Sequence, residues 1–301
     1  MTQSLLARHP TPFPTESLPG HILRLSEANG YSTPRKMFLA AGMNGDEISV
    51  RSFNCEKMAA ITNRSTEELE RIGMRPMQKD SWGLRLLGNT VGLDYLDIRR
   101  AKVCPACIIE DKFIEAHWQL SFMVACPVHE QPAVFFCSQC KKTLSWLRPG
   151  LLQCKCGAEW KPRSIATVPN PELLRLLDLI RCKVLGSTRV RHYESALECQ
   201  FMPMSLQAIL SMVRLLGKAR LTADRSKESR PWQIVGAAAT VLHDWPSNFH
   251  KLLDDLSPSL AMKIALPQME DYAGIAGLIQ QKIDERFRPR KFETSPPHPM
   301  G

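Results

Sequence analysis

The apolar positions of this chain fall into short helical runs separated by proline, glycine and asparagine. Leu18, His21, Ile22 and Leu25 recur at the spacing of one helix face, and Asn29-Gly30 closes that run. Thr33-Pro34 opens a second helix carrying Met37, Phe38 and Ala41, stopped near Gly42. Two short helices are predicted at Cys55–Ile61 and Ser65–Ile72, joined by Thr62-Asn63-Arg64. Ser65 is placed to cap the second, with Glu67 and Glu68 in its first turn. This is a helix–turn–helix pattern, which in DNA-binding proteins presents its second helix to the major groove. Here that helix is acidic, with Glu67, Glu68 and Glu70 against Arg71, and those carboxylates would repel phosphates. The geometry is therefore expected, and groove reading by this helix is not.

Beyond Pro162 the chain turns helical again. Pro171 suits a first turn, with Leu173, Leu174, Leu177 and Ile180 behind it. Leu206, Ile209, Leu210, Val213 and Leu216 form another apolar stripe. Trp232–His243 is apolar nearly all round, which predicts a central place in a helical core. Pro246 opens a helix with Phe249, Leu252, Leu253 and Leu256. Residues 1–16, rich in Pro and Thr, read as extended over a surface, and residues 287–301 as a disordered tail.

Between these helical parts, seven cysteines and one histidine occupy residues 104–156 as four close pairs. They are Cys104 with Cys107, Cys126 with His129, Cys137 with Cys140, and Cys154 with Cys156. A short-spaced pair on a turn supplies two corners of a zinc tetrahedron. Four pairs make two complete sites: Cys104, Cys107, Cys126 and His129, then Cys137, Cys140, Cys154 and Cys156. With four protein ligands each and no open position, both sites read as structural, giving two zinc ions per chain. Disulfides are the alternative, but CxxC and CxC spacings suit a metal better. Cys55, Cys182 and Cys199 read as ordinary thiols. Trp118–Ala125 is expected to be a short helix delivering Cys126. Thr143–Arg148 and Leu151–Lys155 are expected to pair as a hairpin around Pro149-Gly150, making the second site a zinc ribbon. Trp118, Trp146 and Trp160 read as packing over the sites, although such rings can also stack on unpaired bases. His117 is expected at the surface or in a cap.

Composition narrows the class. Hydrophobic content of 44% and charged content of 23% are those of a folded protein. No run reaches the roughly 18 apolar residues of a membrane span, and the first residues lack the apolar core of a secretory signal. A cytoplasmic, reducing location follows as an expectation. Net charge is +9, and residues 161–230 carry 13 basic and 6 acidic side chains. A phosphate-bearing partner is one reading of that excess and a solvated helix surface is the other. Arg175, Arg181, Lys183, Arg189 and Arg191 are the candidate nucleic-acid contacts. No phosphate-binding GxxxxGK[ST] loop, GxSxG elbow or HExxH helix occurs. Paired acids such as Asp254-Asp255 read as solvated, so no enzyme activity is expected.

Three stretches resemble the TniQ/TnsD family of bacterial transposon target-selection proteins. PFPTESLPGHILRLSEANGY, residues 12–31, is similar to the family's opening segment. Residues 104–160 follow its order of CPxC, a Trp-containing segment, CPxH, CxxC and CxCG. HDWPSNFHKLLDDL, residues 243–256, resembles a W-P-x-x-F helix of TniQ proteins. The resemblance implies a mainly α protein: an N-terminal helical domain with helix–turn–helix (1–103), a double zinc-finger module (104–160), a C-terminal helical domain (161–286) and the tail. It also implies recruitment of the transposon's AAA+ ATPase, of the TnsC/TniB type, to target DNA or to an RNA-guided Cascade complex, in some members as a homodimer. The chain is short for a direct DNA reader of the TnsD kind, which favours an adaptor. A stand-alone sequence-specific DNA-binding protein is the alternative, and a zinc-assisted nuclease ranks last because no hydrolytic centre is found.

Overall fold

A computed structural model describes residues 6–43, 54–73, 75–76, 83–98, 100–160, 167–187, 201–227 and 229–256. Arg189, Arg191, Cys199 and the segment 287–301 lie outside the described residues. The described part is mainly helical, with a few short strands.

Helices α1 (Leu18–Ala28), α2 (Pro34–Ala40), α3 (Cys55–Thr62) and α4 (Thr66–Ile72) come first. Each starts where a short polar side chain closes on the backbone: Ser17, Thr33, Asn54 and Ser65 accept from amides of the first turn. Ser65 and Glu68 form a reciprocal capping box. Asn63 takes a left-handed conformation and turns α3 into α4, giving the expected helix–turn–helix. Leu18, Ile22, Leu25, Met37, Phe38, Met58, Ile61, Leu69 and Ile72 pack these helices into one small core.

A second, larger core starts at Leu23 and runs to Leu256. Strands β1 (Arg75–Pro76), β2 (Gly83–Leu86) and β3 (Asn89–Gly92) form an antiparallel sheet in that order, and β2 and β3 give this core Leu84, Leu86 and Val91. The core also takes in α5 (Pro105–Asp111) and the two-stranded β4 (Ala125–Cys126) and β5 (Gln131–Pro132). The C-terminal helices α6 (Pro171–Leu185), α7 (Leu206–Ala223), α8 (Pro231–Leu242) and α9 (Ser247–Asp255) complete it. The Cys/His block is thus packed into the same core as the C-terminal helices. Cys104, Cys126 and Cys154 are themselves buried members of it.

Three expectations are corrected here. Trp118–Ala125 is not a helix: a single 3-10 turn at Ala116–Gln119 leads to β4. Its backbone pairs outward instead, with Leu96 bridging Leu120 and Asp97 N–H donating to Gln119 O at 2.7 Å. No hairpin joins Thr143–Arg148 to Leu151–Lys155; the bridges are Phe136 to Thr143 and Gln153 to Glu159, one behind each ligand pair. The buried Arg148 side chain organises the intervening loop, donating to the carbonyls of Ser145, Gly150 and Leu151. Helix α8 is not buried all round, because Trp232 is 57% exposed.

The N-terminal segment is tied to both metal-ligand blocks. Glu16 bridges Glu115, with Ser17 N–H donating to Ile114 O at 2.8 Å. Glu27 on α1 accepts the Leu151 amide at 3.0 Å. Glu16 is fully buried, so residues near it are not simply draped over a surface. Burial pushes its carboxyl up, but hydrogen bonds from Arg24 and His21 outweigh this and hold it low.

Candidate metal centres

Three of the four ligand pairs sit on tight turns with a left-handed exit, and the first opens a helix. Pro105 begins α5 directly behind Cys104, which places Cys107 one turn on, on the same side. The other three pairs each end in a left-handed residue immediately after the second ligand: Glu130, Lys141 and Gly157. At Gly157 (φ 85°) the missing Cβ makes that conformation easy. Its amide donates to Cys154 O at 2.9 Å and closes the knuckle.

The eight residues form two groups, Cys104, Cys107, Cys126 and His129, and Cys137, Cys140, Cys154 and Cys156. Within each group the donor atoms all lie within 4.8 Å of one another. Sγ of Cys107 and Cys126 are 3.5 Å apart, Cys137 and Cys156 3.7 Å, and Cys140 and Cys154 3.8 Å. A disulfide requires about 2.0 Å. A tetrahedron with metal–sulfur bonds of about 2.3 Å sets its sulfurs about 3.8 Å apart. His129 turns Nδ1 to the three thiols, at 3.2–3.6 Å. Its Nε2 meets Glu110 Oε1 at 2.9 Å, the kind of outer carboxylate that fixes a ligating imidazole. The donor sets fit a tetrahedral metal in size and type.

The electrostatics agree. Hydrogen bonding from Cys107 and Cys126 draws the Cys104 thiol down to about 2. The same crowding, first from Cys104, pushes Cys107 far up and Cys126 up to about 12. In the second group Cys137 is lowered to about 6, mainly by the Cys140 amide, and Cys154 is raised to about 12, mainly by burial. Thiols this close cannot all ionise against one another, and a divalent cation at the centre removes the conflict.

Trp118, Trp146 and Trp160 are buried against these groups, the packing role expected of them. Trp146 and Trp160 both face the Arg148 guanidinium, with Cζ 5.8 and 5.2 Å from the ring centroids. Burial lowers Arg148 to about 9. His117, expected at the surface or in a cap, is buried, because the segment at Glu16 and α6 close over the 3-10 turn that carries it. Among the described residues neither ring nitrogen makes a hydrogen bond, although Nδ1 lies 3.3 Å from Glu115 Oε2.

The described candidate nucleic-acid contacts point inward more than expected. Arg181 grips Glu115 with two hydrogen bonds. Lys183 Nζ donates to Met202 O at 2.9 Å. Arg175 keeps a 42% exposed side chain, with Glu172 at 3.5 Å. Sequence reasoning missed Glu110, Glu27 and Arg148, whose partners are set by the fold; only Glu110, one turn beyond Cys107, left a local trace.

These features define a mainly helical protein whose core holds two closed Cys/His clusters with the geometry of structural metal sites. The TniQ family model matches residues 7–132, from the N-terminal segment through the first cluster. No curated protein matches the chain. Among the described residues no helix is long and apolar enough to cross a membrane.

Proposed function

We propose that this chain is a non-catalytic target-selection adaptor, bridging a target-bound complex and the AAA+ ATPase of a transposon. The TniQ match over residues 7–132 carries this reading. Three further features support it. The outward side of α4 presents Glu67 and Arg71 with Glu70 beside them, a poor match to a phosphate backbone. The two clusters have all their corners filled by protein donors, which suits a scaffold and leaves no place for a reacting water. Glu27 of α1 and Glu16 just before it are bonded to the second and first cluster blocks, which ties the N-terminal segment to both.

In this reading the two clusters hold zinc, through Cys104, Cys107, Cys126 and His129, and through Cys137, Cys140, Cys154 and Cys156. Soft thiolates with one imidazole in a tetrahedron select that ion. The target-bound partner is DNA itself or an RNA-guided Cascade complex.

The test is a pull-down with the cognate ATPase beside a mobility shift on random and candidate target DNA, using one zinc-loaded preparation. ATPase capture with weak, salt-sensitive DNA binding is expected. A tight complex with one DNA sequence and no ATPase capture would replace the adaptor with a sequence-reading DNA-binding protein.

A further inference from the structure

Phe135 and Phe136 stand 44% and 48% exposed on the short segment between the two metal clusters. Their ring centroids are 4.6 Å apart, at an interplanar angle of 49°. Neither ring belongs to the core, which takes in Cys137 and is packed by Val134 on either side of the pair. The backbone beneath them is fixed: Leu144 N–H donates to Phe135 O at 2.9 Å, Phe136 bridges Thr143, and Cys137 N–H donates to Lys142 O at 2.9 Å. The rings are therefore displayed on a rigid base rather than on a loose loop.

The segment that carries them is basic. Between the exposed Glu130 and Glu159 it contains Lys141, Lys142, Arg148 and Lys155 and no Asp or Glu. Lys141, Lys142 and Lys155 are exposed, and among the described residues none has a carboxylate partner. Lys142 and Lys155, with Arg148, rim a pocket of about 420 Å³ that opens onto the second cluster's Cys140, Cys154 and Cys156, and no acidic side chain lines it. A divalent ion on four thiolates leaves two negative charges, which the three lysines outweigh.

We propose that Phe135 and Phe136, with Lys141, Lys142 and Lys155, form a stacking platform for unpaired nucleobases of single-stranded nucleic acid. Exposed rings beside exposed lysines are the two components such binding needs: π faces for bases and cations for the backbone. Duplex DNA keeps its base faces stacked inside and gains nothing from the rings. An apolar protein partner would use the rings but leaves the unpaired lysines without a role. The proposal stands apart from the adaptor reading, because it needs neither the ATPase nor a Cascade complex.

The test is fluorescence anisotropy on the full chain, with labelled dT20, rU20 and a 20-base-pair duplex at low salt. Tighter binding of a single strand than of the duplex is expected, and the dT20 and rU20 arms show which source is preferred. Phe135→Ala/Phe136→Ala should weaken single-strand binding roughly tenfold or more, with duplex binding unchanged. Phe135→Leu/Phe136→Leu keeps the apolar bulk and should be equally weak, whereas Phe135→Tyr/Phe136→Tyr keeps the π faces and should bind as the parent. Metal content equal to the parent's certifies that each variant is folded. No single-strand preference in the parent, or Leu variants that bind like the parent, would overturn the proposal; the second result would make this an apolar protein-docking surface.

Discussion

Glu115 and Arg181 meet in a two-pronged ion pair, Nε to Oε2 at 3.2 Å and Nη2 to Oε1 at 3.0 Å. Glu115 follows α5 of the first cluster, and Arg181 lies on α6, 66 residues away. The pair therefore joins the metal-bearing segment to the C-terminal helices. Both side chains are largely shielded, at 10% and 20% exposure. Burial costs Arg181 some charge stability, but Glu115 more than offsets it and holds its pKa high. Removing one member of a shielded pair strands the other. Arg181→Met should lower unfolding free energy by about 3 kcal/mol. Glu115→Gln/Arg181→Met should cost less than the sum of the single changes in a denaturant-unfolding cycle. Additive losses would mean that the pair is not coupled.

His117 provides a pH signature. Burial, with Arg181 and Lys102 nearby, pushes its pKa well below the ordinary value. In the unfolded chain it titrates near 6.5, so below that pH the unfolded state binds a proton that the folded state refuses. The stability associated with neutral His117 is thus complete above about pH 6.5 and is lost as pH falls towards its folded pKa. The slope approaches about 1.4 kcal/mol per pH unit between those two values. His117→Leu should remove that share of the acid sensitivity. Protonation of the other groups acts in both proteins, so the difference between their curves isolates His117. Superimposable slopes would refute the assignment.

The clusters should unload separately but not silently. Cys104→Ser and Cys154→Ser are each expected to reduce bound zinc from two ions to one, measured by plasma mass spectrometry. Because Cys104, Cys126 and Cys154 lie in the core shared with α6–α9, metal loss should also expose amides of those helices to hydrogen exchange. Glu110→Gln should weaken metal binding at the first site by roughly tenfold, the low end for an outer partner, because Glu110 is 62% exposed. One ion or none in the parent protein would contradict the pairing of ligands.

What could be read beforehand was what is local. Ligand pairs are spaced by two residues or fewer, and the capping serines, threonine and asparagine act within one turn, so both appear in the residue order. The loop around Pro149-Gly150 was misread because its conformation depends on Arg148 reaching three carbonyls from a buried position, a cooperative choice that turn chemistry does not encode. His117 was misread for the same reason at longer range. A polar side chain is assigned to the surface by default, and only the approach of α6 and the segment at Glu16 buries it. The shared core of the metal block and the C-terminal helices depends on contacts such as Tyr95 Oη to Ser211 Oγ, 116 residues apart.

Gly217 marks the closest approach of α7 and α8. It lies mid-helix, where glycine costs about 1 kcal/mol relative to alanine, so its presence asks for a reason. A Cβ built there would lie 2.8 Å from both the carbonyl carbon and Cγ2 of Ile234, and nearer still to the Ile234 carbonyl oxygen. The obstruction is mainly backbone, which cannot rotate away. Gly217→Ala should therefore push the helices apart and destabilise by about 2 kcal/mol or more, despite alanine's better helix propensity. Gly236 on α8 has nothing within 4 Å of its Cβ position and provides the control. Gly236→Ala should be neutral or stabilise by up to about 1 kcal/mol. Thermal unfolding of the two variants decides this: equal midpoints would show that the α7–α8 contact relaxes freely around an added methyl group.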